Sequence, residues 1–471
     1  MKPSLLFTLC AAALAPSAQC ALAGKILVVS DHFPKSSERF HAALNGGIAA
    51  LGLPAEKITA STLAARLSAE QGPGAILVLP NACYFASDAK PALEAFLKRG
   101  NHLLAISGPA LQNLVVWENG KWLTRDLAKV ELGYAKGESI IDWRTQDLKT
   151  WQRSSGTMTN LTEFRVEPSG DSDVPDALHV KIGRLDNWDT IVSPKLTKPF
   201  PDGSDVLVLW AKGGPNTPEM VVEMREKDGS RWMGNIKLTT DWIRYVLTPT
   251  DFAYWQDNPS RGRGGPGDRF NPANAEIISF GLASGITNQA TGIPHEFWVA
   301  GVRAVKDKYA SVDFTPPILE SISPAYKTYR TSASRVDVVG TSMSVQLNGE
   351  FVAPISRAPG FGSNALRDQR YIPVLRARDA DGALRGSAAH LFLNTTGTYA
   401  GSVWGFVGFD QDYLEQTSDQ TVPLVLEMLK QMNRGLFLSN AGTDAFAYAL
   451  GDTTKLGAYV SNLGTKPVSA E

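Results

Sequence analysis

The sequence predicts an open, doubly wound α/β domain that is interrupted by an all-β sandwich of the jelly-roll type. Three observations lead to this prediction. Apolar strands alternate with amphipathic helices at residues 25–112, helical periodicity is nearly absent at 137–305, and the first pattern partly returns after Pro316. Strands that are apolar along their whole length are typical of a parallel sheet that helices cover on both faces.

The first segment carries the α/β pattern. Its predicted strands are residues 25–30, 74–80 and 102–107. Its predicted helices are residues 36–51 and 89–99. Pro34 gives a turn signal before the first helix, and Gly100 is typical of a helix end after the second. Right-handed crossovers are expected to connect the parallel strands.

The middle segment predicts two layers of β-strands. Its predicted strands are residues 177–182, 205–211, 220–226, 243–247, 277–282 and 296–302. Turn signals such as Asp202-Gly203 and Asp228-Gly229 separate them. Eight of the eleven tryptophans lie in this segment: Trp143, Trp151, Trp188, Trp210, Trp232, Trp242, Trp255 and Trp298. Short strands with many aromatic residues are typical of a sandwich or jelly roll.

The segment after Pro316 contains both kinds of pattern. Its predicted strands are residues 371–378, 386–394 and 402–409, and its predicted helix is residues 422–434. The first two strands are expected to form a hairpin around Asp381-Gly382. Gly435 follows the helix and is a suitable end for it.

These changes of pattern give the predicted domain boundaries. The predicted domains are a first part of the α/β domain at residues 24–136, the sandwich at 137–312, a second part of the α/β domain at 313–440, and a tail at 441–471. An inserted sandwich is the preferred interpretation, and three domains in series are the alternative. The tail begins like a strand and a turn, so it is either a frayed end or the first strand of a further β-domain.

Residues 1–23 predict a cleaved secretory signal. Lys2 supplies the positive charge, a short apolar stretch follows, and Ala21-Leu22-Ala23 offers small residues at a cleavage site. Lipidation at Cys20 is the alternative interpretation. We therefore expect an exported protein, periplasmic or extracellular, in which Cys83 is the one remaining cysteine and no internal disulfide forms.

The composition excludes several classes of protein. The 471 residues are 43% hydrophobic and 20% charged, which is ordinary for globular proteins and excludes disorder and coiled coils. The formal net charge is −1, so no nucleic-acid partner is expected. No run of eighteen apolar residues follows the signal, so no transmembrane segment is expected. A homo-oligomer is left open.

Parts of the two α/β segments resemble a known family. The resemblance is carried by KILVVSD at 25–31, AILVLPNACYFASD at 75–88, FLKRGNHLLAISGPA at 96–110 and SVWGFVGFD at 402–410. These runs resemble the class I glutamine-amidotransferase-like superfamily, and especially the non-catalytic relatives that serve as trimerisation domains in bacterial β-galactosidases. The resemblance implies a flavodoxin-like fold that acts as a scaffold or an oligomerisation module.

The middle segment resembles the galactose-binding-like β-sandwiches, which include many carbohydrate-binding modules. The resemblance is carried by VLVLWAKG at 206–213, VVEMREKDGSRW at 221–232 and TTDWIRYVLTPTDFAYW at 239–255. A Trp and Tyr pair that enters a strand ending in a Thr-Pro and Asp-Phe turn recurs in such modules. The resemblance implies the binding of a polysaccharide or an oligosaccharide.

Polar side chains follow the predicted strands at the carboxyl edge of the α/β sheet, where open sheets bind ligands. They are Asp31, His32, Cys83 and Ser107. The resemblance implies that active amidotransferase relatives have a nucleophilic cysteine on the turn where this chain has Ser107. Ser107 would need a nearby base, and His32 is the histidine placed on the same edge. The non-catalytic interpretations are a small residue in a tight turn for Ser107 and simple packing for Cys83.

Side chains suited to a sugar occur in the sandwich, because indole and phenol rings cover apolar C–H faces and polar groups bind hydroxyls. The candidates are Trp188, Arg231, Trp232, Tyr254 and Trp255. No histidine or cysteine spacing suggests a metal site, and no cofactor is expected. A structural calcium ion near Asp171, Asp173 and Asp176 is left open beside the commoner interpretation of a turn.

The leading hypothesis is an exported, carbohydrate-associated protein whose sandwich binds a glycan and whose α/β domain is a non-catalytic scaffold, tied to polysaccharide degradation. The first alternative is a hydrolase, either a glycoside hydrolase or an esterase or amidase that uses the carboxyl edge of the α/β sheet. The second alternative is a structural envelope protein.

Overall fold

The computed structural model describes residues 24–256, 262–315, 327–340, 343–354, 369–443, 449 and 451–464. The predicted signal at 1–23 therefore lies outside the described residues. The chain divides into two compact units, with unit 1 comprising residues 1–124 and 313–471 and unit 2 comprising Arg125–Val312.

The N-terminal part of unit 1 alternates strands and helices. Its strands are β1 (Ile26–Val29), β2 (Ala55–Ile58), β3 (Ile76–Leu79), β4 (Tyr84–Ala86), β5 (His102–Ile106), β6 (Asn113–Glu118) and β7 (Lys121–Leu123). Its helices are α1 (Glu38–Ala50), α2 (Ala60–Ala69) and α3 (Lys90–Lys98). Helix α1 begins where the Ser37 side chain accepts a hydrogen bond from the Phe40 N–H. Sequence patterns predict α1, α3 and strands β1, β3 and β5 to within two residues, but they miss α2 and the strands β2, β4, β6 and β7.

Unit 2 begins with helix α4 (Arg125–Tyr134), which the predicted boundary at residue 137 leaves in the preceding segment. Its strands are β8 (Glu138–Ser139), β9 (Gln152–Ser155), β10 (Thr162–Pro168), β11 (Asp176–Ile182), β12 (Trp188–Val192), β13 (Val206–Gly213), β14 (Glu219–Glu226), β15 (Arg231–Lys237), β16 (Ile243–Leu247), β17 (Ala253–Tyr254), β18 (Ala275–Ala283) and β19 (His295–Val305). Short 3-10 turns lie at Leu148–Thr150, Pro249–Asp251 and Pro272–Asn274.

The strands of unit 2 form two antiparallel sheets, which we call the front sheet and the back sheet. The front sheet has the order β10-β11-β19-β13-β16, with β8 paired to β19. The back sheet has the order β17-β15-β14-β18-β12-β9. Buried side chains from both sheets, such as Leu178, Val299, Val222 and Phe280, meet in one core cluster. The predicted β-sandwich is therefore confirmed.

The C-terminal part of unit 1 consists mainly of strands. They are β20 (Thr328–Ala333), β21 (Arg335–Val338), β22 (Gly349–Pro354), β23 (Gln369–Arg378), β24 (Leu384–Asn394), β25 (Val403–Val407), β26 (Leu436–Thr443) and β27 (Leu456–Asn462). The helices are α5 (Gln411–Gln416) and α6 (Ser418–Arg434). Helix α6 ends at Gly435, whose φ of 68° is the left-handed conformation that glycine adopts without steric cost. The hairpin β23–β24 was predicted, and its turn contains Gly382.

The main sheet of unit 1 is mixed, with the strand order β2-β1-β3-β5-β25-β24-β23-β21. Neighbours from β2 to β25 are parallel, and neighbours from β25 to β21 are antiparallel. Alternate residues of β1 face opposite sides. Ile26 and Val28 pack with residues of α1 and α6, whereas Leu27 and Val29 pack with residues of α2 and α3. Helices therefore lie on both faces of the parallel part.

The end of the described chain is a two-stranded hairpin, in which β26 pairs with β27. The predicted tail strand at the start of 456–471 thus has a partner strand within the chain. In the described part of the chain, no helix combines the length and apolar character that a membrane crossing requires.

Substituting glycines in unit 1 tests how closely its strands pack. We expect Gly408→Ala to lower the free energy of unfolding by about 3 kcal/mol or more, because a Cβ at Gly408 would clash with the backbone oxygen of Val352. Gly46→Ala is the matched control, because a Cβ there meets no atom within 4 Å and alanine favours the helix. Thermal unfolding of both variants checks the pair, and equal melting temperatures would contradict the packing described.

Candidate functional site

Ser107 follows β5 on the turn where the resemblance implies a nucleophile. Its φ of 80° is left-handed, and the residue is 1% exposed. The N–H groups of Ser107 and Gly108 donate to the carbonyl oxygens of Val407 and Phe409, at 2.9 and 3.2 Å. Both N–H groups are therefore occupied by backbone at the end of β25 and just after it, and they are not free to stabilise an oxyanion.

Cys83 lies beside Ser107, as the carboxyl edge of the sheet predicts. Its Sγ is 3.5 Å from Ser107 Oγ and 3.1 Å from the carbonyl oxygen of Gly108, to which the thiol can donate. Burial raises the pKa of the Cys83 thiol, although the hydrogen bond to Ser107 opposes this effect. A neutral, buried thiol is a poor nucleophile.

Asp31 and His32 lie elsewhere on this edge. The Asp31 carboxylate accepts a hydrogen bond from the Ala60 N–H at the start of α2. His32 is exposed and stacks on His41, with ring centroids 5.3 Å apart. Among the described residues, no hydrogen bond joins Asp31 or His32 to Cys83 or Ser107. The structure thus brings together two of the four predicted residues.

The same edge is closed by hydrogen bonds of the chain itself. Asn81 donates from Nδ2 to the Pro34 carbonyl at 3.1 Å and to Ser36 Oγ at 3.0 Å. Gln411 accepts from the Ser37 N–H at 3.0 Å and donates to the Pro80 carbonyl at 2.8 Å. These hydrogen bonds join segments that follow the strands at the edge where open α/β sheets usually bind a ligand.

The predicted sugar-binding residues lie in or near the back sheet, and Trp232 requires a correction. Trp232 is 2% exposed and packs edge to face against Tyr254, with ring centroids 5.3 Å apart. Arg263 lies over the Trp232 ring at 5.2 Å. Because alternation in β15 turns Trp232 into the core, its indole has no free face for a sugar.

The remaining predicted residues retain some access to solvent. Trp188 is 41% exposed. Arg231 binds Glu223 through two hydrogen bonds of 2.6 and 2.9 Å, and this contact raises the pKa of Arg231. Trp255 is half-buried, and its backbone N–H donates to the Arg231 carbonyl at 2.9 Å. The carboxylate of Glu223 thus already occupies Arg231, which weakens the case for this arginine as a sugar ligand.

A second aromatic surface lies on the outer side of the front sheet. We call it the indole face and define it by the residues His179, Trp210, Lys212, Trp242 and Trp298. Strand pairing sets His179 of β11 and Lys212 of β13 opposite Trp298 of β19, while Trp210 pairs with Ala300. Inward neighbours such as Leu178 and Val299 belong to the core.

Trp298 is held from its ring face and from its edge. The imidazole of His179 stacks on it with centroids 4.2 Å apart and an angle of 13° between the planes. The indole N–H of Trp298 donates to Glu167 Oε1 at 2.7 Å. Trp242 is fixed in a similar way, since its indole N–H donates to the Ser169 carbonyl at 3.1 Å. Both rings are half-buried and partly open to solvent.

His179 lies between two carboxylates. Its Nδ1 is 3.2 Å from Glu167 Oε1, and its Nε2 is 3.3 Å from Glu296 Oε2. The imidazole is 8% exposed, whereas the side chains of Glu167 and Glu296 are 26% and 35% exposed. Burial alone would raise the pKa of Glu167, but hydrogen bonds from Trp298 and His179 lower it below the usual value.

Cations lie over the indole rings. Lys212 Nζ is 5.0 Å from the ring centroid of Trp242 and 4.8 Å from that of Trp298. The guanidinium of Arg244 lies 4.5 Å from the Trp210 ring and 3.8 Å from the Tyr134 ring of α4. Trp210 is therefore covered, and the accessible part of the indole face is formed by Trp242, Trp298 and Lys212.

The sequence contains a signal that would have found this surface. In the run HEFWVAGV at 295–302, Phe297 and Val299 face inward, so the Trp298 between them must face outward. The same alternation in VLVLWAKG places Trp210 and Lys212 outward. The sequence-based candidates are residues that the sequence places in loops or at strand ends. Trp210, Trp242 and Trp298 are for that reason not among them.

Metal sites are not evident in the parts of the chain that the structure describes, where no group of three His, Cys, Asp or Glu side chains could hold an ion. Asp171 accepts a hydrogen bond from the Asp173 N–H at 2.8 Å, as in an Asx turn. Arg263 forms ion pairs with Glu226, Asp228 and Asp268.

Comparison with known proteins gives structural likenesses alone. No protein-family model matches the chain, and no curated protein matches it. A family 11 carbohydrate-binding module from Clostridium thermocellum, in complex with a β-1,3-1,4-mixed-linked tetrasaccharide, is 14% identical, with a TM-score of 0.29 and coverage of 36% of this chain and 96% of that one.

Two further solved structures are similar to part of the chain. A family 61 module in complex with β-1,4-galactotriose is 10% identical, with a TM-score of 0.22 and coverage of 36% of this chain and 99% of that one. The CBM22-1 xylan-binding domain of Paenibacillus barcinonensis Xyn10C is 13% identical, with a TM-score of 0.23 and coverage of 36% and 98%. The sugars named belong to those proteins.

Acid should destabilise unit 1 through its buried histidines. Burial and the neighbouring His32 lower the pKa of His41 from 6.5 to about 4, and its ring nitrogens have no hydrogen-bond partner. The unfolded chain binds a proton below pH 6.5, whereas the folded chain does so only near pH 4. The contribution of His41 to the free energy of unfolding is therefore fully present above pH 6.5, and it is lost as the pH drops from 6.5 towards 4.

Urea unfolding at pH 7.5 and pH 4.5 checks this effect. The free energy of unfolding should differ between the two pH values, and we expect His41→Phe to reduce this difference by about 2 kcal/mol. His32→Gln is the matched control and should keep most of the difference, because burial is the larger cause of the lowered pKa. An unchanged pH dependence in His41→Phe would contradict a neutral His41.

The Cys83 thiol should react slowly in the folded protein. Because burial raises its pKa, we expect a thiol reagent at pH 8 to label it at least ten times faster in urea than in buffer. Cys83→Ser is the control that identifies labelling of any other cysteine. Equal rates in buffer and in urea would show that the thiol is accessible and ionised.

Proposed function

We propose that this chain is an exported, carbohydrate-associated protein that binds a glycan at the indole face of unit 2. The observation that carries the proposal is the set of indole rings on the outer side of the front sheet, each fixed by polar partners. These indole rings pack against the buried Val174, Ala177 and Ala300. Their solvent-exposed parts form an apolar surface surrounded by polar groups, which is typical of an interaction site. The proposal links the protein to polysaccharide degradation as an accessory factor.

The chemistry of a sugar matches such a surface. A pyranose ring has apolar C–H faces, which Trp242 and Trp298 can cover, and a rim of hydroxyl groups, which polar side chains can bind. Glu296 contacts His179 through one carboxylate oxygen, so its other oxygen is available as an acceptor. Flat rings that bind a flat, polar-edged ligand give affinity through many weak contacts.

Pre-organisation supports the same proposal. The Trp298 ring is stacked on His179 and its N–H is bonded to Glu167, so the indole loses little conformational freedom when a ligand binds. The Trp242 N–H is bonded to a backbone carbonyl with the same consequence.

Unit 1 is proposed to be a non-catalytic scaffold with a doubly wound, amidotransferase-like fold. Parallel strands with helices on both faces support the fold, and the hydrogen bonds of Asn81 and Gln411 across the carboxyl edge support the lack of catalysis. A hydrolase that uses Ser107 is disfavoured, because Ser107 is buried and its N–H is bonded to Val407. A structural envelope protein is the other alternative.

The back sheet is the rival location for glycan binding. Trp188 is its most exposed indole, and strand pairing puts Trp255 beside Arg231 at the other end of the sheet. The indole face is preferred because its rings lie close together, linked by Lys212, whereas Glu223 occupies Arg231.

Paired tryptophan variants decide between the two surfaces. We expect Trp242→Ala to weaken the retention of a bound polysaccharide at least tenfold in affinity gels, because a stacking platform for the sugar is lost. Trp188→Ala is the matched control from the back sheet and should bind like the unchanged protein. The panel contains soluble β-glucan, xylan, galactan, a sulfated galactan and pectin.

Two outcomes would contradict the proposal. If Trp188→Ala loses binding and Trp242→Ala keeps it, the back sheet is the binding surface. If the unchanged protein is retained by no polysaccharide of the panel, glycan binding itself is rejected. Circular dichroism of each variant confirms that the sandwich is folded.

A further inference from the structure

We propose that the indole face selects an anionic glycan, one whose sugars carry carboxylate or sulfate groups, and that Lys212 is the residue that binds the anionic group. The inference rests on the proposed glycan binding and adds the class of ligand. It follows from how the charges on the face are paired.

Lys212 has no acidic partner in the described part of the chain. Its ammonium lies over the rings of Trp242 and Trp298, at 5.0 and 4.8 Å, and no ion pair joins it to a carboxylate. Its side chain is half-buried, in the middle of the accessible part of the face. An ammonium has three N–H donors, and its contacts with the indole rings do not use these donors in conventional hydrogen bonds.

The two acids beside His179 have partners other than Lys212. Glu167 accepts from Trp298 at 2.7 Å, lies 3.2 Å from His179, and pairs with Arg165 at 2.9 Å. Glu296 lies 3.3 Å from His179. Neither carboxylate forms an ion pair with Lys212 in the described part of the chain, although Glu296 is on the strand next to it.

Other cations near the face also lack carboxylate partners among the described residues. Arg244 lies over Trp210 and Tyr134, and its Nε has no hydrogen-bond partner. Arg303 donates to the Gly133 carbonyl. Burial and the neighbouring Arg244 lower the pKa of Arg303, as expected where positive charges are crowded. Lys212 and Arg244 thus lie over indole rings of the front sheet, and among the described residues no ion pair joins either of them to a carboxylate.

A neutral sugar would gain less from this arrangement than an anionic one. The Lys212 ammonium can donate a hydrogen bond to a sugar hydroxyl, but a bond to a carboxylate or sulfate oxygen is stronger because both partners are charged. A uronate or sulfated sugar places an anion at the edge of the ring that stacks, within reach of a lysine side chain with four flexible carbons. Lys212 can therefore pair with the anion while the sugar ring covers the indole.

The test compares polysaccharides with matched backbones. The pairs are carboxymethylcellulose with hydroxyethylcellulose, polygalacturonate with its methyl ester, and a sulfated galactan with the same galactan after desulfation. We expect the unchanged protein to bind the anionic member of at least one pair at least ten times more tightly in low salt. The pairs that show the preference distinguish carboxylate from sulfate.

Lys212→Met tests the residue, because methionine keeps an apolar stem and removes the charge. We expect Lys212→Met to lose most of the tenfold preference, to show a weaker dependence on salt, and to keep its affinity for the neutral member. Lys237→Met is the matched control from the back sheet, since it changes the net charge equally and should keep the preference. Circular dichroism confirms folding of both variants.

The outcomes separate the two proposals. If the protein binds neutral and anionic members equally, or if Lys212→Met keeps the preference, the inference of an anionic ligand is overturned and glycan binding stands. If no member of any pair is retained, glycan binding at this face and the inference both fail.

Discussion

The contact between His179 and its two carboxylates is the interaction on which the indole face depends. Both ring nitrogens meet carboxylate oxygens, at 3.2 and 3.3 Å, around an imidazole that is 8% exposed. Without the imidazole, Glu296 would lose this contact, and Glu167 would keep only its contacts with Trp298 and Arg165. With it, the imidazole forms a flat support beneath Trp298, and Glu167 fixes the edge of the same indole.

The strands of the sandwich could be predicted from the sequence. Whether each tryptophan side chain faces the core or the solvent was predicted less accurately. The predicted strand 243–247 matches β16, and five others match their strands apart from the ends. Trp232 and Trp298 both lie in strands, yet one faces the core and the other faces outward. A turn just before Trp232 suggested an open strand end. Trp232 faces the core because it lies on the same side of β15 as Ile236, which is also part of the core. Which side of β15 faces the core is set by the register of its pairing in the sheet.

In unit 1, local signals were sufficient for the turn at Ser107 and insufficient for its surroundings. The apolar strand and the small residues after it place a tight turn at the end of β5. What occupies the N–H groups of Ser107 and Gly108 is backbone some 300 residues further along the chain, at Val407 and Phe409. Gln411, which closes the same edge, is equally distant in sequence. Pairings of this kind depend on tertiary structure that a local pattern does not contain.

An ammonium that already lies over two indole rings can still bind an anion. A cation–π contact at a partly exposed site is worth about 0.5–1 kcal/mol, whereas a hydrogen bond to a charged group contributes about 1.5–3 kcal/mol. The two are compatible, because the rings meet one side of the Lys212 ammonium and leave its other donors free. The rings hold the ammonium near the position where the sugar would stack, so less side-chain freedom is lost on binding. The contact with the indole rings therefore stabilises the Lys212 ammonium without an acidic partner in the chain. The same contact positions the ammonium to bind an anionic group of a ligand.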